Sequence, residues 1–447
     1  MKTPRTQERV VITGMGVVCP LGNDVDTMWE GILAGRSGAG GTTVFDASTF
    51  PTTFDTEVKG YDLGRYVRHT EPHARCSRGS GFAVGAAAQA CRQAGIDVET
   101  SEPTDGIDRT RLGIYLGAGE GSMDNDAFFG CIVDGWDAEQ QQMAWPRSTQ
   151  AALTNMDPVR ELEQEPNMAA AHIAMLAGVR GPVRSCLTAC AASTQAVGEA
   201  MMIIRRGDAD IMVAGGAHSM IHPLGVTGFN LLTALSRRND SPETASRPFT
   251  ASRDGFVIGE GAAILIIESL TSARRRGIPI LAELVGYGSS SDAFRITDMH
   301  EEGRGPVQAM QAALADAGLT PEDIDYVNTH GTSTQENDAI ETLAIKTVFK
   351  ERAKQVPASS IKSMLGHLIG AAGAAELIAC VLAIRDSIVP ATINLHDPDP
   401  KLDLDYVPNT PRKMTVNIVM KESFGFGGQN NVVIVKRYCE EGSRQVP

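Results

Sequence analysis

Two distant stretches of the chain repeat the same order of secondary structure, and this repeat limits the possible fold more than any other feature. In the first stretch, an alanine-rich helix predicted over residues 81–95 leads to a strand at 112–117 and a glycine-rich loop. In the second, a similar helix over residues 307–318 leads to a strand at 324–328 and a loop rich in Gly, Ser and Thr. Such self-similarity indicates an internal duplication. Because helices alternate with strands, each copy is predicted to be an α/β unit with a largely parallel sheet.

Two apolar helices extend the duplication further along the chain. One follows Cys190 and the other follows His367. We therefore predict an N-terminal half, residues 1–270, and a C-terminal half, residues 271–447, packed so that the two helix ends face one cleft. Residues 122–180 interrupt the first half, and we expect loops and short helices there, either at a subunit interface or over the pocket, or as a plain surface excursion.

Composition and charge argue against several classes of protein. Hydrophobic residues make up 42% of the 447 residues and charged residues 21%, which is typical of a soluble globular protein. A net charge of −14 argues against binding to nucleic acid, and no apolar run approaches the ~20 residues of a membrane span. The eight cysteines show neither CxxC pairs nor the spacing of a metal cluster, so we expect reduced thiols in a cytoplasmic protein.

One motif that could indicate a nucleotide cofactor is incomplete. The run Gly14-Met15-Gly16 follows a predicted strand, but the third glycine, the opening helix and the acidic residue of a dinucleotide site are not convincingly present. We therefore interpret the two glycines as a tight turn at the end of that strand.

Cys190 is a candidate nucleophile because of its position. It stands among small residues at the start of an apolar helix. The partial positive charge and unpaired N–H groups of a helix N-terminus favour the thiolate, which is the nucleophilic form of cysteine. The alternative is that Cys190 is a buried small hydrophobic residue, as most free cysteines are.

Three further stretches are dense in residues that carry chemistry. His330 lies in a loop of Gly, Ser and Thr after a predicted strand, His367 stands at the start of an apolar helix, and a glycine-rich run surrounds Phe424 and Phe426. A lone histidine in such a loop is usually structural. Two histidines at strand and helix ends, together with a cysteine at a matching helix end, indicate a catalytic site.

These motifs occur together and in the same order in one known family. The chain resembles, from Val10 to about Lys436, the β-ketoacyl-acyl-carrier-protein synthases, which are condensing enzymes of the thiolase superfamily. The resemblance implies a thiolase-like α/β fold whose duplicated halves pack as a five-layered αβαβα core, with no cofactor and no metal. The motifs that carry it are Thr188-Ala-Cys190-Ala-Ala-Ser, His330-Gly-Thr-Ser-Thr, Lys362-Ser-Met with Gly-His367, Ser423-Phe-Gly-Phe-Gly-Gly, Ser246-Arg-Pro-Phe249 and Asp254-Gly-Phe-Val-Ile-Gly-Glu-Gly261.

The resemblance also implies a role for each site residue. Cys190 would hold the acyl chain as a thioester, and His330 and His367 would stabilise the enolate left by decarboxylation of a malonyl thioester. Phe426 would act as a gate and share an oxyanion hole with Cys190. The supporting residues are expected to be Lys362 with Asp338 and Glu341 as partners, Glu376 beside the histidines, Thr332 and Thr334 on the pantetheine arm, and Phe424 on the substrate.

Two departures from the family pattern have consequences. Members usually carry Asn-Ser before the Phe-Gly-Phe run, where the Asn helps to hold a structural cation near Glu376; this chain has Glu422-Ser423 after Lys421. We expect the Lys421 ammonium, or a salt bridge centred on Glu422, to replace that cation. Glu120 stands where relatives often place an apolar residue at the end of the acyl pocket. It predicts a short or polyunsaturated or polyketide-like acyl chain, unless it turns aside to a partner or lies on the dimer surface.

The partners follow from the family. We expect an acyl carrier protein in its acyl and malonyl forms, and either a homodimer or a heterodimer with a related chain-length subunit. The carrier is acidic, and candidate docking groups are the arginines at 65, 68, 75 and 78 or those at 274–276. The activity belongs to either fatty-acid or polyketide elongation. Two other classes are alternatives: a non-catalytic chain-length subunit, which would lack the nucleophile, and a thiolase that uses CoA substrates, which would have a second cysteine where this chain has His367.

Overall fold

The computed structural model describes residues 8–100, 104–119, 121 and 124–440, and its centre is a ten-stranded sheet. In chain order its strands are β1 Val10–Val18, β2 Leu112–Ala118, β3 Val183–Cys186, β4 Ile211–His218, β5 Gly261–Ser269, β6 Ala282–Ser291, β7 Tyr326–Asn328, β8 Ala358–Ser359, β9 Ile418–Gly425 and β10 Gln429–Lys436. Across the sheet they lie in the order β8-β7-β9-β10-β6-β1-β5-β4-β2-β3. Three short ribbons pair Gly40–Gly41 with Phe54–Asp55, Trp136–Asp137 with Gln142–Met143, and Ile388–Val389 with Arg412–Lys413.

The order of the strands follows the internal duplication. Outward from the centre, β1-β5-β4-β2-β3 on one side matches β6-β10-β9-β7-β8 on the other. The pairing matches as well: β2 is parallel to β3 and β4, β7 is parallel to β8 and β9, and the other neighbours are antiparallel. The prediction of a largely parallel sheet is therefore wrong. β9 and β10 are joined by the short turn 426–428, which permits only antiparallel pairing. The residue at which the halves divide stays a prediction.

Helices form the other layers. The α-helices of the described residues are α1 Val25–Leu33, α2 Arg78–Gln93, α3 Asn125–Gly135, α4 Trp145–Asn155, α5 Pro158–Leu162, α6 Met168–Ala177, α7 Ala192–Arg206, α8 Pro223–Leu231, α9 Leu270–Arg276, α10 Arg304–Ala317, α11 Gln335–Phe349, α12 Lys362–Leu365 and α13 Ala372–Asp386. Helices α7 and α13 lie between the two groups of strands, since α7 contacts β2, β4 and β10 while α13 contacts β9 and β5. Helices α2 and α6 cover the outer face of the first group, and α10 with α11 covers that of the second. The predicted five-layered α/β fold is confirmed.

β5 shows why these strands are apolar along their whole length. Alternate side chains of a strand point to opposite faces, and both faces of this sheet are covered by helices. One set of its residues packs into the central layer around α7 and α13, and the other set packs against α2. The first set is Ala263, Leu265 and Ile267, and the second is Ala262, Ile264 and Ile266. A strand buried on both faces gives a continuous apolar run in the sequence.

Paired glycines in β1 and β6 set the distance between sheet and outer helices. A Cβ atom at Gly14 or Gly16 would lie 2.2 or 2.0 Å from a carbonyl oxygen of α2. At Gly286 or Gly288 it would lie 2.4 or 2.0 Å from a carbonyl oxygen of α10. The interpretation of Gly14 and Gly16 as a turn is wrong, because β1 continues to Val18. The glycines allow an alanine-rich helix to pack directly on the strand, and both copies of the duplication use them.

The segment predicted as an insertion contains α3 to α6, and its helices are short, as expected. Within the described residues, each helix is too short or too polar to cross a lipid bilayer.

Candidate active site

Cys190 stands on a strained turn at the start of a central helix. The 3₁₀ turn Ala189–Ala191 leads directly into α7, and Ala189 has a φ of +47°, which is uncommon for a residue other than glycine. The turn Ile369–Ala371 leads into α13 in the same way, and Ile369 also has a φ of +47°. Cys190 therefore corresponds in position to Gly370, and His367 lies just before the second turn. Strain of this kind costs about 1–3 kcal/mol and is typical of functional sites.

The fold brings Cys190, His330 and His367 together. The sulfur of Cys190 and one ring nitrogen of each histidine lie within 4.8 Å of one another. The two imidazole rings are nearly perpendicular, at 82°, with 5.4 Å between their centroids. All three side chains are buried. His330 follows β7 of the second half and Cys190 precedes α7 of the first, so the two halves share this site.

The hydrogen bonds of the two histidines fix their tautomers. Nδ1 of His367 accepts the N–H of Ile369 at 3.3 Å, and Nδ1 of His330 faces the ammonium of Lys362 at 3.4 Å. Because each Nδ1 is an acceptor, the proton of each neutral ring is on Nε2. Nε2 of His367 is buried and has no hydrogen-bond partner within the described part of the chain. Both rings therefore present an N–H donor.

Burial determines the charge of all three groups. Desolvation, followed by the nearby Lys362 ammonium, lowers the pKa of His330 and His367 well below the usual histidine value. Desolvation also raises the pKa of the Cys190 thiol to about 11, although Lys362 and the N–H groups of Phe426 and Cys190 oppose this shift. The prediction of a cysteine biased toward the thiolate is wrong for this structure, since desolvation outweighs the Lys362 charge and the two N–H groups that favour the thiolate. The resting site contains a neutral thiol and two neutral imidazoles.

Lys362 has a different partner from those predicted. Its ammonium forms an ion pair with Glu376 on α13 and donates to the carbonyl oxygen of His330 at 2.6 Å. The prediction of Asp338 and Glu341 as its partners is wrong, because peptide N–H groups hold both of those carboxylates. Glu376 thus acts on the histidine through Lys362.

Asp338 and Glu341 instead support the loop that carries His330. Glu341 accepts the N–H of His330 at 2.5 Å and the N–H of the next residue at 2.7 Å. Asp338 accepts the N–H of Ser333 at 3.2 Å and lies 3.6 Å from Arg253. Both carboxylates lie on α11 and are fully buried. They fix the loop between β7 and α11, and with it the position of the imidazole.

Lys421 lies where the sequence led us to expect a replacement for a cation. Its Nζ is 2.7 Å from a carboxylate oxygen of Glu376, donates to the carbonyl oxygen of Glu422 at 2.5 Å, and also donates to Ser423 Oγ. Ser423 Oγ is 2.8 Å from Thr194 Oγ1, in the first turn of α7. Of the two alternatives, the Lys421 ammonium agrees with the structure. Glu422 forms no salt bridge among the described residues.

A cavity of about 280 Å³ opens beside the three residues. Its wall includes most of the predicted substrate residues. Two of its segments, 232–234 and 297–299, carried no signal in the sequence. The ring centroid of Phe256 lies 5.1 Å from that of His367. Phe256 belongs to the motif 254–261, which indicates the family but predicts no role for this residue. Besides Cys190 and the two histidines, the lining includes Thr332, Thr334, Phe424, Phe426, Phe256, Leu232, Thr233, Ala234, Asp254, Asp292, Thr297, Asp298, Met299 and Gln335.

Close packing at Gly425 brings the Phe424–Phe426 segment next to Cys190. A Cβ atom at Gly425 would lie 3.3 Å from the nitrogen of Cys190 and 3.0 Å from the carbonyl oxygen of Thr188. The glycine therefore lets the end of β9 pack directly against the turn of Cys190. Thr332 and Thr334 face the same cavity, with 3.0 Å between their hydroxyl oxygens.

Some predicted residues do not join this site. Glu120 lies outside the described residues, so its effect on the acyl chain stays a prediction. The first group of arginines forms ion pairs away from the cavity lining: Arg65 with Asp62, Arg68 with Glu99, Arg75 with Asp157 and Arg78 with Glu260. In the second group, Arg276 pairs with Glu268. Carrier docking at either group stays a prediction.

Cys190, His330 and His367 are also the one group of described residues whose donor atoms are close enough to share a metal ion. The Lys362 ammonium, 3.4 Å from a nitrogen of His330, places a positive charge beside them. That charge disfavours a cation and favours an anion, which two Nε2–H groups can bind.

A buried thiol on a strained helix turn, next to two neutral imidazoles in a duplicated five-layered fold, is the arrangement expected of a condensing enzyme with a thiolase-like fold. Two sequence models of one family match the chain: the N-terminal domain of beta-ketoacyl synthases over residues 7–273 and the C-terminal domain over residues 281–396. The chain belongs to the beta-ketoacyl synthase family.

Individual relatives agree over nearly the whole length. The chain is 41% identical over 443 residues to a 3-oxoacyl-[acyl-carrier-protein] synthase 2 of Coxiella burnetii, covering 96% of this chain and 99% of the relative. A solved ishigamide ketosynthase/chain length factor superposes with a TM-score of 0.84 at 34% identity, covering 97% of this chain and all of that one. A type II polyketide ketosynthase in complex with its acyl carrier protein has a TM-score of 0.83 at 33% identity and the same coverage. The family and enzyme class predicted from the sequence are confirmed.

Proposed function

We propose that this enzyme carries its acyl intermediate on Cys190. In the first half-reaction, Sγ of Cys190 attacks the carbonyl carbon of an acyl thioester on an acyl carrier protein. The new S–C bond forms as the bond to the pantetheine sulfur breaks, and the thiol proton leaves with the carrier's thiol. The N–H groups of Cys190 and Phe426, both directed at the thiol sulfur, stabilise the carbonyl oxygen as it becomes negative.

In the second half-reaction, a malonyl carrier protein enters the cavity. The bond between its carboxyl carbon and its α-carbon breaks and releases CO₂, and the electron pair moves into a thioester enolate. The enolate oxygen accepts hydrogen bonds from Nε2–H of His330 and His367. Its α-carbon attacks the acyl carbonyl, the new C–C bond forms, and the Cys190 thiolate leaves and takes a proton from water. The product is a β-ketoacyl carrier protein.

The remaining predicted residues support these steps. We expect Phe426, on the turn between β9 and β10, to act as a gate between the two half-reactions; Phe426 and Phe424 both line the cavity. The paired hydroxyls of Thr332 and Thr334 are suited to bind the amide groups of a pantetheine arm. Lys362, which pairs with Glu376, contacts Nδ1 of His330 and supports the ring.

One observation carries this proposal: a buried thiol with two neutral imidazoles that each present Nε2–H. A thiolase-type enzyme that uses CoA substrates would need a base in place of His367, and here Nδ1 of that ring is occupied by the N–H of Ile369. A non-catalytic chain-length subunit would lack the nucleophile. The relatives include a 3-oxoacyl-[acyl-carrier-protein] synthase and a type II polyketide ketosynthase, so fatty-acid and polyketide elongation both agree with the comparisons. All eight cysteines are free thiols, which supports a cytoplasmic location.

Mass spectrometry after incubation with acyl carrier proteins of different chain lengths tests the proposal. We expect one acyl group per chain, located by peptide mapping on Cys190. Cys186, four residues away and only half-buried, is the internal control and should stay unmodified. Malonyl carrier protein should then discharge the adduct and give a β-ketoacyl carrier. Acylation at another residue, or an adduct that malonyl carrier does not discharge, would contradict the proposal.

We further propose that the chain forms a dimer through the edge of the sheet at β3. β3 pairs only with β2, so its other edge is open within the described residues. Large apolar side chains are exposed on β3 and in the segment predicted to lie at an interface, including Val183 on β3 and Val133, Trp145 and Leu153 in the predicted insertion. An open strand edge with apolar surface is typical of an interface between subunits.

Light scattering of the purified chain tests this interface. We expect twice the mass of one chain, and Leu153→Asp should shift the population toward the monomer. The matched control is Leu343→Asp, since Leu343 is also exposed but lies on α11 of the other half. A monomeric wild type that dimerises only with a related chain-length subunit would identify a heterodimer. A monomer that pairs with neither would refute the interface.

A further inference from the structure

Behind His330 lies a buried group of ionisable side chains that the reaction scheme uses only in part. Its members are Lys362, Glu376, Lys421, Glu341 and Glu422. Each is at most 2% exposed. The two ammonium groups both contact Glu376, and Glu341 holds the backbone of His330. Glu422, on β9, has no assigned role.

The charges of this group do not balance if every carboxyl is ionised. Two ammonium groups face three carboxyl groups, which leaves one uncompensated negative charge in a site that water does not reach. Isolated buried charge of this kind is very unfavourable, and buried carboxyls take up a proton instead. If one of the three carboxyl groups binds a proton, the net charge of the group is zero. Asp338 is left out of this count because it faces Arg253, a cation that it shares with the partly exposed Asp399.

The hydrogen bonds indicate which carboxyl holds the proton. The oxygens of Glu341 accept the N–H groups of His330 and Gly331 and the side-chain amide of Asn337, as an ionised carboxylate does. Both oxygens of Glu422 are buried and receive no N–H or O–H donor among the described residues. Its carboxyl is within hydrogen-bonding contact of Glu341, and burial followed by that neighbouring charge raises its pKa well above the usual value. Glu341 shares this environment, and its pKa is raised as well.

We propose that Glu422 is a protonated carboxylic acid whose O–H donates to Glu341, so that Glu422 is a positioning residue for His330. The O–H adds a further donor to the three that converge on Glu341. This bond keeps Glu341 as the anion that holds the His330–Gly331 backbone. Lys421, adjacent in sequence, directs its ammonium to Glu376 and to the carbonyl oxygen of Glu422, and so leaves the carboxyl of Glu422 to Glu341.

Infrared difference spectroscopy tests the protonation state without reference to the reaction. A carboxylic acid has a carbonyl stretch that a carboxylate lacks. We expect this band in the wild type near neutral pH and its loss in Glu422→Gln. Glu283→Gln is the matched control, because Glu283 is buried in β6 and receives two N–H bonds from Arg9, so its loss should leave the band unchanged. A spectrum in which Glu422→Gln removes no such band overturns the proposal.

The pH dependence of stability gives an independent test. The folded chain keeps a proton on Glu422 that the unfolded chain releases above the ordinary carboxyl range. Stability that depends on this proton is complete at low pH and is lost as the pH rises toward the raised pKa of the folded state. Glutamine has no proton to lose, so the melting temperature of Glu422→Gln should rise relative to the wild type as the pH increases. A difference that does not change with pH would refute a protonated Glu422.

The positioning role rests on the proposed function and has its own readout. We expect Glu422→Ala to lower the rate of malonyl decarboxylation about tenfold or more, while Cys190 is still acylated. Glu422→Gln, which keeps a hydrogen-bond donor to Glu341, should recover most of that loss. If the infrared band and the pH effect are present but Glu422→Ala decarboxylates at the wild-type rate, the proton is present and the positioning role is wrong. If the wild type itself neither acylates nor decarboxylates, the proposed function fails instead.

Discussion

Replacing His330 with alanine is expected to lower the rate of malonyl decarboxylation by roughly 10²- to 10³-fold, the effect of losing one donor to a developing oxyanion. Nε2–H of His330 is a preorganised donor, because Lys362 faces Nδ1 and Glu341 holds the backbone. The enolate forms only in the second half-reaction. Acylation of Cys190 depends on other groups, so it should continue at a rate close to that of the wild type.

Two assays on the same variant separate these steps. Intact mass after incubation with acyl carrier protein measures acylation of Cys190, and CO₂ release from malonyl carrier protein measures decarboxylation. His69→Ala is the control, since His69 is exposed and outside the cavity lining. Equal loss of acylation and decarboxylation would contradict the proposed division of roles.

The rate of decarboxylation by the wild type should depend little on mild acid. Because burial lowers the pKa of His330 and His367 well below the usual histidine value, mild acid should not protonate them, and decarboxylation should not fall between pH 7 and about 6.

Lys421→Met is expected to destabilise the folded protein by about 3–5 kcal/mol, the usual cost of removing one member of a buried ion pair. Lys421 is fully buried, and its ammonium lies 2.7 Å from a carboxylate oxygen of Glu376. Methionine fills a similar volume and carries no charge. The group behind His330 would then have one ammonium for its carboxyl groups, and Ser423 would lose the donor that fixes its hydroxyl near α7.

Denaturant unfolding followed by circular dichroism measures this loss. Lys436→Met is the matched control, because Lys436 lies on the neighbouring strand β10, is 39% exposed and is 3.6 Å from a Glu283 oxygen. Because Lys436 is partly exposed and Glu283 keeps its ion pair with Arg9, removing the Lys436 charge should cost only about 0–1 kcal/mol. If the two variants unfold at the same denaturant concentration, Lys421 does not balance a buried charge.

Much of the fold was predictable because its signals are local and recur. Alternation of helix and strand, and apolar runs such as that of β5, follow from burial on both faces of a sheet. The direction of pairing was not predictable in the same way. β9 and β10 are antiparallel because a short turn joins them, and the sequence pattern of a buried strand is the same in either direction. Gly14 and Gly16 were misread for a related reason: only the packed structure shows the carbonyl oxygens of α2 above them.

The grouping of the candidate catalytic residues was predictable from motifs, whereas their electrostatics were not. Cys190, His330 and His367 each stand in a run of small residues whose order identifies the family. The pKa of Cys190 depends on desolvation in the folded protein, and this effect exceeds that of the Lys362 ammonium and of the N–H groups at the sulfur. The partner of Lys362 was misassigned because Asp338 and Glu341 are near His330 in sequence, while Glu376 reaches the ammonium from another helix.

The sequence by itself therefore determined the duplicated α/β fold, the family and the choice of Cys190, His330 and His367 as the candidate catalytic residues. These depend on residue types at short spacings, which local physics and motif order reveal. Only the tertiary structure decided the strand directions, the tautomers of the histidines, the ion pairs of Lys362 and Lys421, and the contact between Glu341 and Glu422. Each of these depends on burial and on groups that are distant in the chain and meet only in the folded protein.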